Sequence, residues 1–196
     1  MYNTVVNHML RTLVLPIFSL SCLGILSSCS DCICTGKGVG TIAHVKLKHK
    51  DQPWYRCVHR DGQTMYQTMT TVSWTFQHEL GYWDAYGAKS KQLYMRAQGK
   101  TFTVFSGYVW TGSTQGPTTE KLLTPSLFHD AMLHAMQNGA PLTQAQADGA
   151  FYQLMKAENF VLAGTYFATA RNFGSSYTGP QNQQALTIKR RSFKSK

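Results

Sequence analysis

The hydrophobic pattern changes period once along the chain, and that change restricts the fold to one sheet layer followed by one helical layer. From about residue 40 to 110 the pattern suits strands. Val72-Ser73-Trp74-Thr75-Phe76 alternates apolar and polar, as do Phe102-Thr103-Val104 and the second half of Ile42–Lys48. Gln92–Arg96 is a weaker strand. β-Branched and aromatic side chains fit a half-buried pleated surface. Asp61-Gly62 and Gln98-Gly99-Lys100 carry hairpin-turn chemistry, and Gly81–Gly87 reads as a loop between strands. Trp54, Trp74, Trp83 and Trp110 share no single surface period, so they are expected to fill the core face and its rim.

After residue 119 the period becomes helical. Thr124-Pro125 offers an N-cap followed by proline at the first helical position. Leu127, Phe128, Ala131, Met132, Ala135 and Met136 recur at helical spacing until Gly139 stops the helix. Thr143-Gln144-Ala145-Gln146 is a capping box for a second helix, and the short turn makes the pair an antiparallel hairpin. A third helix is expected over Asn159–Phe173. The reading is an α+β domain: an N-terminal twisted antiparallel β-sheet, then two or three helices. The expected boundaries are an export signal at 1–28, a tether at 29–40, one domain at 41–182 and a basic disordered tail at 183–196.

The leader fixes an expected destination. Thr12 to Leu26 is apolar apart from small hydroxyl residues, too short to span a bilayer and of a length suited to a signal peptide. Leu26-Ser27-Ser28-Cys29 resembles the bacterial lipobox. That resemblance implies cleavage before Cys29, acylation of its thiol and retention at a membrane. Ser30, in place of aspartate, implies the outer membrane facing the periplasm. The alternative is an ordinary secretory signal whose cysteine enters a disulfide. Cys57 with Cys32 or Cys34 is a candidate disulfide in an oxidising compartment.

A net charge of +10 with only nine acids favours anionic partners, such as lipid headgroups or an acidic envelope component. An exported location argues against nucleic acid. The glycine- and hydroxyl-rich loop 106–119 lacks the lysine of a phosphate-binding loop, which excludes that form of nucleotide binding.

Titratable side chains gather at one place, His129-Asp130 in the first helix and Asp148 in the second. If they meet, His129 is a general base that activates water, and Asp148 fixes its tautomer. Asp130 would bind a cation with backbone carbonyls from Gly107, Gly112 and Gly116. The competing reading is that His129 and Asp130 only order a helix start. Geometry weighs on the choice, because antiparallel helices place their starts at opposite ends. The two residues meet only if the helices are staggered or cross steeply.

Two resemblances centre on these residues. Gly107-Tyr108, Ser113, Pro117, His129-Asp130, Gly139 and Ala147-Asp148 with Phe151 follow the order seen in a small phage-associated family, domain of unknown function 1353. It implies the α+β fold and a phage or prophage context, but no activity. With the lipoprotein leader, the leading expectation is a structural or interaction role at the cell envelope. The family's aspartate after the Gly-aromatic pair is missing from Trp110-Thr111-Gly112. The helix pair also resembles the A-two class of secreted and viral phospholipases. That implies a calcium-dependent esterase, with His129 as base, Asp148 as its partner and Asp130 as calcium ligand. The class's half-cystines are absent here, and Leu133 stands where it carries tyrosine.

Overall fold

The computed structural model describes residues 54–60, 63–113, 118–173 and 185–192. The leader, Cys29, Cys32, Cys34, the strand expected at 42–48 and Gly116 lie outside the described residues. So does any pairing of Cys57 with Cys32 or Cys34.

Two antiparallel sheets form the first layer. One has the order β1-β2-β7, from β1 (Tyr55–Arg60), β2 (Gln63–Thr68) and β7 (Val109–Trp110). The other has the order β3-β6-β5-β4-β8, from β3 (Val72–Thr75), β4 (Tyr82–Gly87), β5 (Leu93–Gln98), β6 (Thr101–Val104) and β8 (Leu186–Arg190). Both expected hairpins pair in register, with Arg60 opposite Gln63 and Gln98 opposite Thr101. Gly99 has φ +63°, which a tight turn at its first central position requires.

Two sequence expectations fail in the sheet. Gly81–Gly87, read as a loop, contains β4, which lies between β5 and β8. Its flanking glycines and central aspartate are turn signals, but Trp83 and Ala85 alternate inward and are fully buried. Asp84 is satisfied by Arg96, whose Nε and Nη2 donate at 2.7 and 3.2 Å. Arg191 Nε adds an ion-pair contact at 3.4 Å. The tail expected to be disordered from 183 supplies β8, paired along β4 from Leu186 to Arg190. There Leu186 and Ile188 alternate inward beneath the run of basic residues that suggested disorder.

Three helices follow: α1 (Glu120–Gln137), α2 (Gln144–Ala157) and α3 (Ala163–Phe173). The capping box at Thr143 and Gln146 forms as the sequence predicts. Helix α1 begins at Glu120 rather than beside Thr124, and Pro125 lies inside it. The proline removes one backbone bond, to Lys121, an exposed residue in the first turn. From Leu122 to Ala135 every residue of α1 is buried except His129, which is half-buried. Over this span the helix has no side turned fully to solvent, so it is enclosed between layers. On one side Phe128 packs against Phe76 and Phe102 of the sheet layer, with ring centroids 5.8 and 6.1 Å away. On the other, Leu122 joins Phe151, Met155, Ala163 and Ala170 of α2 and α3. No described helix is long and apolar enough to cross a membrane.

Because Phe128 is fully buried between the layers, Phe128→Ala should lower the unfolding free energy by roughly 3–5 kcal/mol. Urea unfolding followed by circular dichroism checks this; a loss under 1 kcal/mol would mean the layers do not meet there.

Candidate active site

His129 and Asp148 meet. Nε2 of His129 lies 2.9 Å from Oδ1 of Asp148, with side-chain exposures of 12% and 3%. The early start of α1 explains how. His129 is in mid-helix, eight residues or about 12 Å before the end of α1, whereas Asp148 is four residues or about 6 Å into α2. The connection 138–143 takes up the difference, which is the stagger that the antiparallel arrangement needed. The imidazole also stacks on Phe151, one turn beyond Asp148, with centroids 4.8 Å apart and planes at 26°. Ring and carboxylate are thus fixed by the same face of α2. With Nε2–H donating to the carboxylate, Nδ1 is left as the basic atom of the ring.

Asp130 turns the other way, as the 100° step between helix neighbours dictates. It is buried and accepts a hydrogen bond from Thr111 Oγ1 at 3.2 Å. Burial pushes its pKa up to about 7, against the lowering effects of His129 and of hydrogen bonds from Thr111. Asp130 belongs to a polar seam. Ser126, Asp130 and His134 recur every fourth residue on one face of α1 and are met by Trp110, Thr111 and Tyr108 of the β7 segment. Trp110 Nε1 donates to Ser126 Oγ at 3.2 Å, and the hydroxyl of Tyr108 lies 3.5 Å from His134 Nδ1. The seam lays the loop that follows β7 across the helix.

At that point is a small half-open cleft of about 30 Å³, room for a water molecule or two. Helix α1 contributes Ser126, His129 and Asp130, and the loop contributes Gly112 and Ser113. Phe151, Tyr166 and Ala170 close it from α2 and α3. Gly112 is required here. Its φ is +79°, and a Cβ would stand 2.7 Å from Thr118 Oγ1 and 2.8 Å from Tyr66 Cε2.

Of the residues singled out from the sequence, His129, Asp130 and Gly112 line one cleft, and Asp148 supports it from behind His129. Gly107 does not join them; its carbonyl accepts from Gln67 Nε2 at 3.2 Å. Ser126 and Thr111 were not anticipated. The four-residue spacing of Ser126, Asp130 and His134 was visible, but the strand residues that meet them carry no sequence signal. Among the described residues no three His, Cys, Asp or Glu side chains gather as a metal cluster would need. What the cleft offers a cation is one buried carboxylate beside backbone groups of Gly112 and Ser113. These are donors of the type a hard ion such as calcium takes, but one carboxylate is far short of its roughly six to eight oxygens, so water or substrate would have to supply the rest.

Comparison of the chain with models of known families, with curated proteins and with solved structures finds no match.

Asp130 also predicts a pH dependence. Its pKa is raised from the ordinary 3.8 to about 7, so the folded state holds a proton that the unfolded state releases between those values. The stability it contributes is full below about pH 4 and is lost as pH rises through 7. Relative to Asp130→Asn, the wild type should lose up to roughly 4 kcal/mol across that window. Thermal melts of both proteins from pH 4 to 8 test this, and parallel curves would contradict it.

Proposed function

We propose that this chain is a calcium-dependent esterase acting on phospholipid, exported and held at a membrane by lipid on Cys29. The observation that carries the esterase reading is the 2.9 Å contact of His129 with Asp148 at the wall of a cleft that also receives Asp130. The lipid substrate rests on the resemblance to A-two phospholipases and on an anchor that would hold the cleft beside a bilayer.

The chemistry follows from the residues. A water in the cleft gives its proton to Nδ1 of His129 as its oxygen attacks the ester carbonyl. Asp148 holds the imidazolium through Nε2–H. The tetrahedral intermediate collapses, the alkoxide leaves and takes the proton back from Nδ1, and a fatty acid and a lysophospholipid result. The residues that would hold calcium are Asp130 and the backbone of Gly112 and Ser113. When bound, calcium would supply positive charge for the developing oxyanion. It would also offset the burial of a carboxylate that, among the described residues, accepts hydrogen bonds from Thr111.

An interaction role at the envelope is the second reading, and the charge distribution described below favours it.

The esterase reading predicts calcium-dependent release of fatty acid from phosphatidylglycerol vesicles. His129→Gln should lower the rate by about 10²–10⁴-fold, with Asp148→Asn showing a loss of the same order. Equal rates in wild type and both variants would refute it. Calcium should raise the melting temperature of the wild type and leave Asp130→Asn unchanged. For the anchor, a palmitate analogue should label the wild type and fail to label Cys29→Ala; label surviving in the variant would end the lipoprotein claim.

A further inference from the structure

The positive charge of the described chain is not spread evenly. Strands β4, β5, β6 and β8 with their hairpins carry seven Lys and Arg, four between Tyr82 and Phe105 and three between Leu186 and Arg191. Against these stands one acid, Asp84, which is buried and paired. The helical segment 118–173 carries three Lys and Arg against four acids. Most of the excess charge therefore belongs to the five-stranded sheet, with a smaller share on Arg56 and Arg60 of β1.

The face of that sheet turned away from α1 has a definite composition. Ser73, Thr103, Arg96, Asp84 and Lys189 stand in register across all five strands. At strand spacing the row is about 19 Å long. None of the five belongs to either apolar cluster. The two hydroxyls bond each other at 2.9 Å. The cations are braced on rings: Arg96 lies over Phe105 at 5.9 Å, and Lys189 over Tyr86 at 4.9 Å.

These details select a partner. Arg96 and Arg191 are fixed on Asp84 and, with Lys189, outnumber that one carboxylate by two; cations held in this way beside hydroxyls suit a linear polymer bearing carboxylate or phosphate groups. Single-stranded nucleic acid is disfavoured, because base stacking needs open ring faces and Arg96 and Lys189 each occupy one face of these two rings. A bilayer surface is disfavoured too. The exposed large apolar residues among those described are Met69, Tyr152, Val161 and Leu162, and none lies on this sheet. We propose that the outward face of the five-stranded sheet binds an acidic polysaccharide along the row from Ser73 to Lys189. This site is separate from the cleft at His129 and does not depend on the esterase reading.

The test measures binding of the full chain to polygalacturonate, with neutral dextran, a dT20 oligonucleotide and phosphatidylglycerol vesicles as the other ligands. The variant is Lys189→Gln combined with Lys89→Gln, both exposed positions that hold no part of the core. Wild type should bind polygalacturonate, with affinity falling as salt is raised. The double variant should bind at least about fivefold more weakly, the loss expected when two of the cations that attract the polymer are removed. His129→Gln should bind as the wild type does. No binding to polygalacturonate, equal binding to dextran, or an unchanged double variant would overturn the proposal. So would a double variant that loses affinity for dT20 or the vesicles while keeping it for polygalacturonate.

Discussion

The constraint on which the rest of the structure depends is the enclosure of helix α1. Its side chains from Leu122 to Ala135 are buried apart from the half-exposed His129. Apolar residues meet that demand by packing, and Phe128 is the contact that ties the helix to the sheet layer. Polar residues cannot meet it unaided, because a buried polar group without a partner is costly. Ser126, Asp130 and His134 are therefore tied to the β7 segment, and His129 to Asp148. The cleft arises where these two sets of ties lie side by side. One enclosed helix thus fixes both the fold's interior and the place where chemistry is concentrated.

Within the cleft the two adjacent residues receive opposite treatment. His129 has a carboxylate on one nitrogen and an aromatic ring against its face, so its orientation is set and one nitrogen remains basic. Asp130 is buried, and the hydrogen bonds from Thr111 do not offset that burial, so its charged form is disfavoured. A site that holds a base ready and leaves a carboxylate under-compensated is suited to taking up a cation beside an activated water. The charge on the five-stranded sheet lies outside this arrangement.

Much of this was legible in the sequence. The change of period after residue 119 gave the order of sheet and helices, and Thr143 with Gln146 marked the start of α2 through side chains that bond locally. His129, Asp130 and Asp148 stood out because acids are few, nine in the whole chain, and the expected helix starts are where a histidine and acids gather as a reaction would need. The failures share a cause. Thr124-Pro125 looked like a helix start, and Gly81–Gly87 and the 186–190 run looked irregular, because local signals were weighed without tertiary partners. Pro125 is carried by a helix held through packing, Asp84 by Arg96 of β5 and Arg191 just after β8, and β8 by pairing with a strand about a hundred residues away. The seam partners Trp110 and Thr111 were illegible for the same reason.

The central claim is that Asp148 fixes His129 with Nε2 protonated and Nδ1 available as base. Nitrogen-15 chemical shifts of the His129 ring test it most directly, measured above the pH at which the ring loses its charge. The account predicts the Nε2–H tautomer in the wild type and a mixture of tautomers in Asp148→Ala. A wild-type ring protonated on Nδ1, or one indifferent to the loss of Asp148, would contradict it.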